Sequence, residues 1–315
     1  DSFISIGNKD SRSSKKNNVE TVFKDYSLGV ATHRDQVVYD FSYSSLVSRL
    51  KEFIEDYNAE IDRWKRAGSG LNVDEFVSYT KIAWDRDLKK DLTRYRYVKF
   101  VKDKVRCGLY RPFCKQQYYL DRVLNGEIYS ILKILPTLAS KNVMICVPGL
   151  SGRANWTAIV TDCIPNLSLT SLDSFQCFAF YIYDDDGSNR RENITDWALE
   201  QFRSHYKGKR ISKWDIFYYV YGLLHHPGYR EKFSNNLKRE LPRIPFAPDC
   251  GAFTKAGKKL ADLHLNYESA KEFPLKEKNT PGIPRSPRVE SKMKLTKDKT
   301  ALMVNESLTL TGIPP

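Results

Sequence analysis

The chain has no C-x-x-C pair, and its 5 histidines do not interleave with its 6 cysteines at zinc-ligand spacing. That argues against a zinc finger or ribbon. No apolar run approaches the ~18 residues a membrane-crossing helix needs, and no signal peptide opens the chain. G-x-G-x-x-G and G-K-[ST] are both absent, so the sequence carries no dinucleotide loop and no P-loop. An N/D-P-P-F/Y loop for holding a flipped base is missing too. Methionine is scarce, with 3 residues against 19 Tyr and 16 Phe. Tyrosine at this abundance suits faces that are half buried and half wet. The cysteines, at 107, 114, 146, 163, 177 and 250, are expected mostly as buried small hydrophobes in a reducing compartment.

What is present describes a folded protein. The 315 residues are 41% hydrophobic, enough for one large domain or two. The formal charge of +13 is unevenly spread. Between Lys81 and Arg122 stand 13 Lys/Arg and 5 Asp/Glu, an excess of 13 − 5 = +8. A basic surface this concentrated is the footprint of a polyanion partner, although a solvated face that aids solubility has the same composition.

Residues 1–18 are polar and are expected as a flexible lead-in, with one folded body over 19–315. Leu46, Leu50, Phe53, Ile54, Tyr57, Ile61 and Trp64 recur at helical spacing and predict a helix over 44–66. Gly68-Ser-Gly70 ends it and marks a candidate internal boundary at 67–72. From 95 to 182 the pattern favours short strands, at 95–101, 143–147, 156–160 and 175–183. Residues 194–265 read as mainly helical. Ser212 is the expected N-cap of a buried helix that Pro227 stops. The Pro- and Lys-rich tail then predicts strands around Met293, around Leu302 and at 307–311. The fold class is therefore α+β: mixed, with a central strand-rich part flanked by helical segments.

Motifs for chemistry are weak. Gly149-Leu-Ser-Gly-Arg153 resembles a nucleophile elbow around Ser151 but lacks the closing glycine. A phosphate contact through Arg153, or a plain turn, fits it better. Pro248-Asp249 with Glu290-Ser-Lys292 has the outline of a Mg²⁺ nuclease constellation across a long gap. Asp184-Asp-Asp186 reads as a solvated turn rather than a calcium loop. His225-His226 reads as helix-end hydrogen bonding rather than a metal pair.

Several blocks, in order along nearly the whole chain, carry a family resemblance. They are Tyr26-Ser-Leu-Gly-Val-Ala-Thr-His-Arg-Asp35 with Val38-Tyr-Asp-Phe41, Trp84-Asp-Arg-Asp-Leu-Lys89, and Leu109-Tyr-Arg-Pro-Phe-Cys-Lys115 with Tyr118-Tyr119. Asn193–Leu199, Ile211–Arg230, Leu237–Ala247, Leu263–Tyr267 and Leu308–Pro315 continue the series. Together they resemble the C-terminal specificity region of Type ISP restriction-modification enzymes. The resemblance implies a non-catalytic, cytoplasmic module that reads double-stranded DNA. It would follow an adenine-N6 methyltransferase domain in the same polypeptide, and S-adenosylmethionine would bind there and not in this chain. Relatives continue beyond the counterpart of Pro315 with an aromatic-rich helical segment, so a closing element is expected to be missing here.

If DNA is the partner, the basic middle supplies the contacts. Arg86, Lys89 and Lys90 open a short helix. Arg94, Arg96 and Lys99 are expected on a strand edge. Arg111, Lys115 and Gln116 mix donors with aromatics, with a structural role for Arg111 equally open. The other readings are a structural coupler that docks the methyltransferase to motor and nuclease domains, and an independent Mg²⁺ nuclease.

Overall fold

Residues 3–7, 20–68, 70–149, 156–170, 174–207, 210–289 and 292–314 are described by a computed structural model. The chain divides into two units, Asp1–Tyr267 and Glu268–Pro315.

The first unit opens with β1 (Phe3–Ser5), which pairs antiparallel with Arg243–Pro245. Ile4 and Ile6 are buried. Of the expected flexible lead-in, residues 3–7 are described, with Ile4, Ile6 and Gly7 buried and Phe3 exposed, while 1–2 and 8–18 lie outside the described residues. Next come β2 (Ser27–Leu28), α1 (Asp35–Val38) and β3 (Tyr39–Asp40). The long helix expected over 44–66 is α2 (Tyr43–Ala67), and all seven residues of its apolar stripe are buried. Ser42 caps it, its Oγ accepting the Ser45 N–H at 3.3 Å, and Gly68 leaves it at φ 82°. The stripe packs into the same core cluster as Trp84, Leu88, Leu92 and Tyr119, so residues on both sides of 67–72 share one core.

Two short helices follow, α3 (Val73–Phe76) and α4 (Arg86–Thr93). The strand expected at 95–101 does not form. Side chains occupy its backbone groups instead. Asn58 of α2 donates to the Val98 carbonyl at 2.8 Å and accepts the Val98 N–H at 3.0 Å. The Tyr119 hydroxyl accepts the Val101 N–H at 3.0 Å. A segment pinned this way has no ladder to offer a neighbouring strand.

The strands β4 (Val105–Arg111) and β5 (Cys114–Tyr119) form a hairpin. Then come β6 (Met144–Pro148), β7 (Ile159–Thr161), β8 (Ile164–Pro165) and β9 (Phe175–Ala179), and a small hairpin of β10 (Tyr181–Ile182) with β11 (Arg191–Glu192). Two four-stranded sheets result, in the orders β2-β9-β6-β7 and β3-β5-β4-β8. The first is buried on both faces. Met144, Cys146, Phe175 and Cys177 face one core cluster, while Ile145, Val147, Val160 and Phe178 face the other. Burial on both faces explains why β6 reads as an unbroken apolar run.

The helical part comprises α5 (Asp196–His205), α6 (Lys213–His225), α7 (Pro227–Lys232) and α8 (Ser234–Leu237), then β12 (Arg243–Pro245) and α9 (Cys250–Leu265). Ser212 and Asp215 form a capping box at the start of α6. Pro227 ends α6 and is also the first residue of α7. Helices α6 and α9 cross at Gly222 and Gly257, and a Cβ on Gly257 would sit 1.9 Å from the Tyr218 carbonyl oxygen.

The expectation of reduced, separate cysteines is corrected at one place. Cys107 and Cys163 are disulfide-bonded, with Cα atoms 5.1 Å apart. The parallel pairing of Gly108 with Ile164 sets them side by side. Cys146 and Cys177 are free and buried, Cys250 is buried, and Cys114 is free and half-buried.

The second unit is one antiparallel sheet of β13 (Lys276–Asn279), β14 (Lys294–Leu295), β15 (Ala301–Met303) and β16 (Leu308–Thr311), in the order β13-β16-β15-β14. The last three match the strands expected in the tail. The first, Lys-Glu-Lys-Asn, is fully exposed and lacks the alternation that would reveal it.

Candidate nucleic-acid interface

The basic middle is built on α4, and α4 is fixed by Asp85. One Asp85 oxygen accepts the Leu88 N–H at 2.7 Å and caps the helix. The other pairs with Arg34, whose side chain is 1% exposed. Arg34 also donates to the Leu124 carbonyl at 3.1 Å. Burial lowers its pKa, and the Asp85 charge opposes that shift. His33, at φ 56°, places Nδ1 3.1 Å from the same Asp85 oxygen.

The proposed DNA-contacting residues divide by what they touch. Arg86 is 88% exposed and, among the described residues, pairs only with its neighbour Asp87, at 3.4 Å. Lys90 and Arg94 are exposed and form no ion pair with a described residue. Lys89, by contrast, bonds Asp74 at 2.6 Å, which raises its pKa, and is 18% exposed. Arg96 bonds Asp91 at 2.8 Å. Asp91 is buried, and burial raises its pKa against the opposing pull of Arg96. Arg111 folds over the Tyr110 ring at 3.9 Å and donates to the Tyr110 carbonyl at 2.6 Å. Lys115 donates to the Leu265 carbonyl at 3.0 Å, and its backbone N–H meets the Tyr267 hydroxyl at 3.1 Å. Those two bonds tie the hairpin to the end of α9. Gln116 lies mid-strand opposite Gly108. Arg153 and Ser151 lie outside the described residues.

The structure also assembles a basic groove that sequence reasoning missed. Lys99, Lys104, Arg106 and Arg122 line a cavity of about 380 Å³ together with Asp121. They come from the pinned segment, the turn before β4, β4 itself and the loop after β5. Asp121 is already engaged by Lys104 at 2.5 Å and by the Val123 and Leu124 N–H groups at 2.8 and 3.1 Å. Arg106 donates from Nε to the Asp103 carbonyl at 2.8 Å and from Nη2 to the Pro136 carbonyl at 3.2 Å. Burial lowers its pKa. Of the four, only Lys99 stands out in sequence, on an expected strand edge that does not form, and no local pattern links 99 to 122.

The remaining motifs have structural tasks. Asp249 caps α9, accepting the Ala252 N–H at 3.0 Å, and Glu290 lies outside the described residues. Asp184 bonds Arg191 at 2.8 Å and Asn189 at 2.7 Å in an exposed turn. His225 meets the Tyr221 carbonyl at 3.0 Å, and His226 caps α7. Among the described residues no group of three or more His, Cys, Asp or Glu could hold a metal ion. None of the described helices is long and apolar enough to cross a membrane.

The Type ISP C-terminal specificity domain family matches residues 21–315. The chain belongs to that family. Its fold is similar to a DrdV–DNA complex, at 32% identity and a TM-score of 0.86. It is also similar to a nuclease-deletion mutant of the Type ISP enzyme LlaGI in complex with a DNA substrate mimic, at 27% identity and 0.80. The ATP-dependent Type ISP enzyme LlaBIII bound to DNA is similar too, at 28% identity and 0.80. Each match covers 99% of this chain, but only 31%, 23% and 20% of the respective partner. A search of curated proteins finds no match. This specificity domain thus spans a third or less of the length of those enzymes.

Proposed function

We propose that this specificity domain reads a base sequence in double-stranded DNA and presents an adenine to an N6-methyltransferase domain in the same polypeptide. The observation that carries the reading is the match over 99% of the chain to enzymes solved on DNA or a DNA mimic. The local charge excess supports it, because counterion release from phosphates drives such binding. Arg86, Lys90 and Arg94 are the proposed contacts on α4 and its exit, since they spend least of their donor capacity inside the protein. Arg153 remains a proposed phosphate contact. Lys89, Arg96, Arg111, Lys115 and Gln116 act on DNA mainly by holding the reading surface in shape. Catalysis and S-adenosylmethionine binding belong to the neighbouring methyltransferase domain.

Domain exchange tests the proposal. This chain would replace the specificity domain of a Type ISP enzyme of known target, and genomic adenine methylation would be mapped. Methylation at a new, single sequence is the expected result. Methylation that stays at the recipient's original sequence would refute the assignment of sequence reading to this chain.

A further inference from the structure

We infer that the groove lined by Lys99, Lys104, Arg106 and Arg122 seats a phosphate of the DNA backbone and sets the register of the duplex without reading bases. The inference rests on the DNA-reading role proposed above and assigns one surface of that role.

The groove has more donors than the protein uses. Asp121 is the one acid among the described residues lining the groove, and it is engaged by Lys104 and two backbone N–H groups. Lys99 and Arg122 are exposed and form no ion pair with a described residue. Arg106 uses Nε and Nη2 on carbonyls, which leaves Nη1 without a bond to a described residue and fixes the plane of the guanidinium. The groove therefore holds three uncompensated cations around a concave, partly apolar floor that includes Val98 and Leu120. An anion with several acceptor oxygens satisfies such a set, and a phosphate matches the fork of an arginine.

The backbone here is built to hold position. The Asn58 clamp on Val98 and the Tyr119 bond to Val101 fix the segment on either side of Lys99. The Leu120 N–H donates to the Lys104 carbonyl at 2.8 Å and locks the two sides of the groove together. Base readers need side chains that reach into a DNA groove. Cations carried on a pinned backbone along a concave wall suit the phosphate ridge instead.

The test measures duplex binding by the intact protein and by Lys99→Ala, Arg122→Ala and the double variant. A preferred duplex and a scrambled duplex are compared across a salt series. Each single variant should lose affinity by the same factor on both duplexes. Each should also flatten the dependence of log affinity on log salt by about 1. Arg122→Lys should retain most binding, and unchanged melting curves would show that the fold is intact. A loss confined to the preferred duplex would mark the residues as base readers and overturn the inference. Normal binding by the double variant would overturn it while leaving the DNA-reading role standing. Failure of the parent protein to bind either duplex would remove both. Titration with inorganic phosphate is the second arm. Phosphate binding lost in the variants, with DNA binding untouched, would reassign the groove to a free anion.

Discussion

Arg34, itself buried, donates to the half-buried Asp85 across 51 residues of chain, and this pair fixes where α4 begins. Two sequence blocks that carry the family resemblance, Thr32-His-Arg-Asp35 and Trp84-Asp-Arg-Asp87, meet at this bond. Asp85 spends one oxygen on Arg34 and the other on the helix cap, so the basic face of α4 is oriented from its first residue.

Breaking that pair should be expensive. Asp85→Ala leaves the Arg34 guanidinium buried without its counter-charge and also removes a cap. A loss of about 3–5 kcal/mol in unfolding free energy is expected from urea denaturation. A midpoint equal to that of the parent would contradict the anchoring role.

The basic residues should separate into two groups by their melting behaviour. Lys115→Ala removes the tie to the Leu265 carbonyl, so it should cost about 1 kcal/mol of stability and lower the melting temperature by about 1–2 °C. Lys90→Ala removes an exposed cation, so it should melt like the parent while weakening duplex binding on every sequence. Equal melting of both variants would show that the Lys115 tie carries no stability.

Gly257→Ala tests the helix crossing. The new methyl group would fall on the Tyr218 carbonyl of α6, so the two helices must part. A loss of about 1–3 kcal/mol or more is expected, read by chemical denaturation. Gly251→Ala, near the exposed start of the same helix, meets only the Asp249 side chain at 3.4 Å and should be close to neutral.

How much of this was legible in sequence depends on how local the cause was. The stripe of α2, the Ser212 cap, the Pro227 break and the apolar run of β6 are local, and each appears where its pattern placed it. The 95–101 segment misled because alternating aromatic and basic residues look like a strand. Its backbone is instead satisfied by Asn58, 40 residues away. The Cys107–Cys163 bond and the four-sided basic groove depend on which strands become neighbours, and periodicity carries no such information. β13 was missed because an exposed strand of Lys, Glu and Asn has no apolar face to alternate.

The pH dependence of stability has a defined sign. Burial holds the His225 imidazole down at about 4, from an ordinary 6.5. Between those values the unfolded chain binds a proton that the folded chain refuses. Stability should therefore fall as pH drops from about 6.5 to about 4, and this group should add no further loss below that. In His225→Gln the fall over that window should be shallower, as measured by denaturation at several pH values. An identical slope in both proteins would show that His225 is not the source.

The central claim is that this domain discriminates base sequence. The most direct measurement is selection from a pool of random duplexes by the intact protein, followed by sequencing of what it retains. Enrichment of one short motif is expected, bound about 10³-fold or more tighter than scrambled duplex at physiological salt. Retention of an unenriched pool would contradict it, because the basic surface would then bind phosphates without reading bases.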